Sequence, residues 1–101
     1  MVPSIQRHAI EQAEQIDWAL DYLMRKWAAV PEFARLWATK WEDLDRLDFE
    51  TEWAIPRSWL AELHQWTEQG MLTAEQCRRY ESLLALIERM QPTLDRLFSE
   101  E

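Results

Sequence analysis

The sequence predicts an all-α fold, an antiparallel bundle of four main helices followed by a short C-terminal helix or a kinked extension. The 101 residues include one glycine and four prolines, which leaves little material for the tight turns that join β-strands. Apolar residues recur every three or four positions, and the segments between the prolines are rich in helix-forming residues. A chain of this length forms one domain, so we expect a single helical domain over residues 1–101.

The first helix is predicted over residues 5–29, because an apolar stripe runs along this segment at helical spacing. The stripe comprises Ile5, Ala9, Ala13, Ile16, Leu20, Leu23 and Trp27. Pro31 disfavours a helical conformation at the residue before it, so we expect the helix to end there.

The second helix is predicted over residues 31–47. Pro31 suits the first position of a helix, and the Glu32 carboxylate is favourable near the positive end of the helix dipole. Apolar side chains again recur along one face, at Phe33, Trp37, Trp41 and Leu44. Residues 48–56 lose this spacing, and we interpret them as a packed loop at the end of the bundle.

The third helix is predicted over residues 57–69. It is expected to end at Gly70, the single glycine of the chain, because helices often end in a left-handed residue that glycine adopts without strain. Met71 and Leu72 would then form a short turn between antiparallel helices.

The fourth helix is predicted over residues 74–91. Thr73 and Gln76 have the spacing of a capping box, in which each side chain bonds the backbone N–H of the other residue. Pro92 either kinks this helix or begins a short terminal helix over residues 93–99.

Charge and composition argue against several classes of partner. Nineteen acidic and eleven basic residues give a formal charge of −8, which repels nucleic acids and anionic membrane surfaces. No segment resembles a membrane span or a secretory signal, and the single cysteine cannot form an internal disulfide. We therefore expect a cytoplasmic protein that binds neither nucleic acid nor membrane.

The sequence predicts no catalytic, metal-binding or cofactor-binding residues. Neither His8 nor His64 has the glutamate three positions before it that helical-bundle metal sites use. Cys77 has no neighbouring histidine and is expected in the core, on the apolar stripe of the fourth helix. The chain also lacks a glycine-rich phosphate-binding loop. We expect a protein that is not an enzyme.

The first candidate partner-binding surface lies on the first helix. At about 100° per residue, Trp18 and Tyr22 fall opposite the apolar stripe, and Arg25 borders them. Two large aromatics are costly to leave in solvent. We expect this face to be covered by the chain itself, by a second copy, or by another protein.

The second candidate surface is the acidic segment from Glu42 to Glu52, which has six acidic residues and one basic residue. The residues predicted to bind a partner there are Asp43, Asp45, Asp48, Phe49 and Trp53. Carboxylates beside aromatic rings suit a basic partner. The alternative interpretation is a solvated helix end whose aromatic side chains turn inward.

The pattern as a whole favours a protein-interaction module that binds itself, a partner protein, or both. One alternative is a neutralising protein, such as an antitoxin, an immunity protein or a nucleic-acid mimic, that covers a basic site. Another is a binder of a small apolar or cationic ligand, because tryptophan faces attract cations. That alternative requires a cavity lined by Trp37, Trp41, Trp59 and Trp66.

Overall fold

A computed structural model describes the backbone of residues 4–99 and the side chains of residues 11–99. It contains five helices: α1 (Ser4–Ala28), α2 (Val30–Thr39), α3 (Asp43–Glu52), α4 (Ala54–Glu68) and α5 (Ala74–Ser99). No β-strand occurs among the described residues, and the predicted all-α class is confirmed, whereas the predicted count of four main helices is not matched.

The prediction of one helix over residues 31–47 is wrong, because the helix is interrupted within this segment. α2 ends at Thr39, and Glu42 is extended, with φ −89° and ψ 174°. The Glu42 backbone N–H donates a 3.0 Å hydrogen bond to the Asp45 carboxylate, which starts α3 as a new helix. An acidic residue replaces the Ser or Thr that usually begins such a cap, so the pattern of residues carried no clear signal there.

The packed loop predicted over residues 48–56 is also wrong, because this segment is helical. Trp53 separates α3 from α4 but keeps a helical conformation, with φ −65° and ψ −16°. Its N–H donates to the Phe49 carbonyl at 2.9 Å, and its own carbonyl accepts from the Arg57 N–H at 3.3 Å. Pro56 is tolerated because it lies in the first turn of α4, where its missing N–H would have no acceptor within the helix.

The turn between α4 and α5 confirms two predictions. Gly70 has φ +71°, and the Met71 N–H donates to the Trp66 carbonyl at 3.0 Å, as in a glycine-terminated helix. The Thr73 N–H donates to Gln76 Oε1 at 2.9 Å, and the Gln76 N–H donates to Thr73 Oγ1 at 3.1 Å. The capping box therefore begins α5 where the sequence indicated.

The predicted fourth helix, residues 74–91, continues through Pro92 as part of α5. Of the two alternatives for residues 93–99, the separate terminal helix is wrong. Proline inside a helix costs about 3 kcal/mol, and burying one leucine contributes about 1.5–3 kcal/mol. Leu94 and Leu97 are 1% and 6% exposed, so their burial offsets the cost of the proline.

The packing makes α1 the central helix, since it contacts both α4 and α5. α2 packs against α5, and α3 packs against α4. The buried apolar residues are Ile16, Ala19, Leu20, Leu23, Trp27, Val30, Trp37, Phe49, Trp53, Leu63, Trp66, Leu83, Leu86, Leu94 and Leu97. The predicted stripe of the first helix is confirmed from Ile16 to Trp27; the side chains of Ile5, His8 and Ala9 lie outside the described residues.

The molecule is elongated, with principal extents of 55 × 24 × 18 Å. Its accessible surface is 7121 Å². A folded monomer of 12.2 kDa typically exposes about 6100 Å², so this chain exposes roughly 1000 Å² more. An elongated arrangement of helices leaves more surface uncovered than a round bundle does.

Candidate interaction surfaces

Three aromatic side chains form a cluster where α1 meets α4. The rings of Trp18 and Tyr22 stack with their centroids 4.9 Å apart and their planes 8° from parallel. Trp59 meets the Trp18 ring at 4.8 Å and 62°. The first two residues are one turn apart on α1, and the packing of α4 brings the third to them. We call Trp18, Tyr22 and Trp59 the Trp18 patch.

The chain itself covers only part of the Trp18 patch. Tyr22 and Trp59 are half-buried against the core, whereas Trp18 is 47% exposed. Lys26 approaches the Tyr22 ring, with its Nζ 5.6 Å from the ring centroid. Three ways of covering this face were considered, and burial by the chain itself is one of them. The chain covers much of Tyr22 but leaves about half of Trp18 exposed. The sequence did not single out Trp59 for this surface, because only the packing of two helices brings it there.

Two shallow grooves flank the Trp18 patch. One, of about 320 Å³, is lined by Trp18, Asp21, Met24 and Arg25. The other, of about 250 Å³, is lined by Gln15, Ser58, Trp59 and Glu62. Because Trp18 lines one groove and Trp59 the other, the grooves adjoin at the contact between these rings. The predicted residue Arg25 is exposed in the first groove, and Glu62 is exposed in the second.

A deeper cleft lies where α1, α2, α3 and α4 come together, and we call it the acidic cleft. Its volume is about 280 Å³, and it is lined by Lys26, Phe33, Trp41, Asp45, Asp48, Phe49, Glu52, Trp53 and Pro56. Asp45, Asp48 and Glu52 recur at helical spacing, so α3 presents three carboxylates to one face. The predicted residue Asp43 is exposed on α3 but is not among the residues that line the cleft.

The aromatic residues of the acidic cleft are packed together. The Phe49 ring centroid is 5.0 Å from that of Phe33, 5.4 Å from that of Trp41 and 5.4 Å from that of Trp53. Phe49 and Trp53 are 8% and 4% exposed, and Phe33 and Trp41 are half-buried. Phe49 and Trp53 were predicted as partner-contacting residues, but they are turned inward as core residues. Only the parts of their rings that line the cleft are open to a ligand.

The cleft carboxylates form no ion pair with any described residue. Asp45 is used locally, because its Oδ2 accepts the Glu42 N–H at 3.0 Å. Asp48 and Glu52 are exposed. Lys26 is the basic residue in the lining, and its ammonium lies against the Tyr22 ring.

Arg46 of α3 and Arg57 of α4 interact with residues that do not line the acidic cleft. Arg46 on α3 donates to the Trp37 carbonyl at 2.6 Å, and its guanidinium lies 5.5 Å from the Trp37 ring centroid. The Arg57 guanidinium on α4 lies 5.3 Å from the Phe98 ring centroid. The negative charge of the cleft is therefore not neutralised by these arginines.

The titratable groups elsewhere serve mainly to join helices. His64 Nδ1 on α4 hydrogen-bonds the Tyr80 hydroxyl on α5, and partial burial raises the pKa of Tyr80 above its ordinary value.

Cys77 was expected in the core but is exposed, because α5 turns the adjacent Gln76 inward instead. Within the side chains that the structure describes, no group of three His, Cys, Asp or Glu residues is placed to hold a metal ion.

The four tryptophans considered for a ligand cavity do not line one cavity together. Trp37 and Trp41 are in contact at 6.3 Å, and Trp59 and Trp66 at 6.4 Å. Trp41 lines the acidic cleft and Trp59 lines a surface groove, while Trp37 and Trp66 are buried. The cleft instead takes its other aromatic residues from Phe33, Phe49 and Trp53.

No protein-family model, curated protein or solved structure matches this chain. Over the described residues, no helix is both long enough and apolar enough to cross a bilayer.

Proposed function

We propose that this protein is a small, non-catalytic interaction module that binds a second protein chain through the Trp18 patch. The observation that carries the proposal is that Trp18 is 47% exposed although two other aromatic rings hold it in place. Tryptophan is the residue type most enriched at the energetic centres of interfaces. A ring that is already fixed loses little conformational entropy on binding.

A second copy of the chain is the partner that the patch fits best. A two-fold interface brings the same surface of both copies together, so that surface must complement itself. The exposed Trp18 ring lies beside one groove lined by Arg25 and Asp21, and Trp59 lines a second groove with Glu62. A two-fold arrangement that pairs Arg25 of one copy with Glu62 of the other would meet this condition.

Sedimentation velocity over a range of protein concentrations tests this proposal. We expect the wild type to form dimers and Trp18→Ala to raise the dimer dissociation constant roughly 1000-fold, because a two-fold dimer loses two Trp18 rings at about 2 kcal/mol each. Leu84→Ala is the matched control, because Leu84 is also exposed but lies on α5. The control should change the constant less than about twofold.

A wild type that stays monomeric would exclude the second copy as the partner. Affinity capture from the native cell extract would then compare the wild type with the Trp18→Ala, Tyr22→Ala double variant. A protein retained by the wild type and lost by the double variant would support a different partner. Equal recovery by both would contradict an interface at the Trp18 patch.

A second candidate function is the covering of a basic site on another protein, as antitoxins, immunity proteins and nucleic-acid mimics do. The acidic character of α3 favours it, since five of its ten residues are Asp or Glu. Binding of this kind weakens with salt and with charge reversal at Asp43, Asp45 and Asp48. Partner binding that is independent of salt would contradict it. For both candidates we expect a cytoplasmic location.

A further inference from the structure

We infer that the acidic cleft binds one basic side chain, an arginine in preference to a lysine, from an extended segment of a partner protein. This site is separate from the Trp18 patch, and it gives the second candidate function a defined point of contact. The inference rests on the aromatic lining of the cleft, on its unpaired carboxylates and on the exposed apolar surface beside it.

The aromatic lining favours a cation. Phe33 and Trp41 are half-buried, so part of each ring is accessible within the cleft. The face of an aromatic ring carries negative potential and attracts ammonium and guanidinium groups, and tryptophan attracts them most. Phe49 and Trp53 also line the cleft and are almost fully buried, so they add apolar aromatic surface to it.

The carboxylates supply the charge that the ligand must match. Asp48 and Glu52 lie one turn apart on α3, at the edge of the cleft, and neither pairs with a described basic residue. Two accessible carboxylates beside aromatic rings suit the planar guanidinium group, which stacks on a ring and donates to carboxylate oxygens at the same time. An ammonium group lacks the planar shape, so lysine should bind less tightly.

The surroundings of the cleft favour a side chain on a polypeptide over a free small cation. Leu44 and Leu47 are 72% and 56% exposed on α3, each one position before a carboxylate that lines the cleft. At about 100° per residue they lie on the neighbouring face of the helix. The residues that flank a bound arginine would cover these leucines, whereas a small cation would leave them in solvent.

NMR titration of the tryptophan indole N–H signals tests the inference. The probe is a pentapeptide with a central arginine, glycine at the other positions and both termini blocked. We expect the Trp41 signal to shift and saturate while the Trp18 signal stays in place. The same peptide with glutamine in place of arginine should produce no shift, and the lysine peptide should bind several-fold more weakly. The absence of any Trp41 shift, or an equal shift with the glutamine peptide, would overturn the inference.

Charge-removing variants locate the site. Asp48→Asn with Glu52→Gln should raise the dissociation constant of the arginine peptide about tenfold, because it removes two of the three carboxylates that line the cleft. Asp43→Asn with Glu50→Gln removes the same charge from exposed positions of α3 outside the cleft and should raise it less than about threefold. Equal weakening by the two double variants would show general attraction to an acidic helix and would overturn a site in the cleft.

Three further measurements distinguish an arginine site in the cleft from a small-cation site and from peptide binding at the Trp18 patch. Lys26→Gln should tighten peptide binding about twofold, because it removes the positive charge that lines the cleft. Tetramethylammonium chloride that binds as tightly as the peptide would overturn the partner side chain as the ligand and replace it with a small cation. Trp18→Ala should bind the peptide like the wild type, so loss of the dimer and loss of peptide binding are observed independently. Unchanged circular dichroism of each variant shows that folding is retained.

Discussion

The Gln76 side chain of α5 donates a 2.9 Å hydrogen bond to the Asp17 carboxylate of α1. The same amide nitrogen donates to the Ala13 carbonyl at 3.1 Å, while its oxygen accepts the Thr73 N–H at 2.9 Å. Gln76 is only 4% exposed, so its polar atoms are satisfied by the protein. One residue therefore begins α5 and also fixes it against the central helix.

We predict that Gln76→Ala lowers the free energy of unfolding by about 2–3 kcal/mol. The variant keeps the bond to Thr73 Oγ1 but loses the Thr73 N–H bond to Gln76 Oε1, worth about 0.5–1.5 kcal/mol, and the bond to Asp17, worth about 1.5 kcal/mol because that carboxylate is 54% exposed. Urea denaturation measures the change. Gln91→Ala is the control, because the Gln91 amide also donates to a carboxylate, that of Asp95 at 2.8 Å, but is exposed. If Gln91→Ala lowered the free energy of unfolding by more than about 0.5 kcal/mol, the effect of Gln76→Ala could not be attributed to the burial of Gln76.

We predict a smaller and salt-dependent effect for Arg79→Met. Arg79 reaches Asp17 at 2.8 Å and Asp21 at 2.6 Å, but the two carboxylate side chains are 54% and 70% exposed. Exposed ion pairs contribute about 0.2–1 kcal/mol each, so the total loss should stay near 1 kcal/mol. Urea denaturation should show a smaller loss of unfolding free energy in about 1 M NaCl than at low salt, because the screening length between charges falls to about 3 Å. A loss that is unchanged by salt would indicate that packing, and not charge, is responsible.

We predict that Pro92→Ala raises the free energy of unfolding by about 1–3 kcal/mol. Pro92 lies inside α5 and is exposed, so alanine restores a helical N–H and removes the ring from the preceding turn without opening the core. Thermal and urea denaturation measure the gain. Pro56→Ala should give no gain, because Pro56 is buried in the first turn of α4. A destabilised Pro92→Ala variant would contradict a continuous α5.

We predict that Tyr80 makes the protein less stable in alkali. Desolvation by partial burial raises the pKa of Tyr80 above 10.0; the nearby Glu68 charge raises it further, and a hydrogen bond with Thr67 lowers it. Below about pH 10 this tyrosine is neutral in both the folded and the unfolded state, so it adds no pH dependence. As the pH rises above 10, the unfolded state ionises first, and stability falls until the folded pKa is passed.

Urea denaturation between pH 8 and about pH 11.5 should therefore show a steeper alkaline decline for the wild type than for Tyr80→Phe. Absorbance titration of a Tyr22→Phe variant, which keeps Tyr80 as its single tyrosine, reports the pKa of Tyr80 directly. An ordinary pKa in that titration would contradict the prediction.

The predictions that depended on local chemistry were confirmed. The turn at Gly70 follows from the ability of glycine to adopt a positive φ, and the cap at Thr73 and Gln76 follows from two hydrogen bonds between residues three apart. Two predictions that depended on proline failed in the same way, since a helix includes the proline that was expected to bound it, whereas Pro31 lies in the first turn of α2 as predicted. Pro56 did not delay α4 and Pro92 did not end α5, because the turns around both residues bury apolar side chains.

The candidate surfaces were only partly predictable. Helical spacing placed Trp18 and Tyr22 together. It did not place Asp45 and Asp48 on one helix, because the second helix was predicted to end at residue 47 and a loop to follow, whereas α3 carries both residues. It did not bring Trp59 to the first surface, or Phe33 to the second, because those contacts join separate helices. Nor did it choose between exposed and inward positions for Phe49 and Trp53.

The sequence by itself determined the all-α class, the extent of the first helix and the turn before the last one, because helical periodicity and capping act between residues a few positions apart. The tertiary structure decided which aromatic rings are buried. Phe49 and Trp53 enter the core because α3 packs on α4, and Trp18 stays half exposed because α4 brings a single ring to it. Burial depends on which helices meet, and contacts between distant segments leave no periodic signal in the sequence.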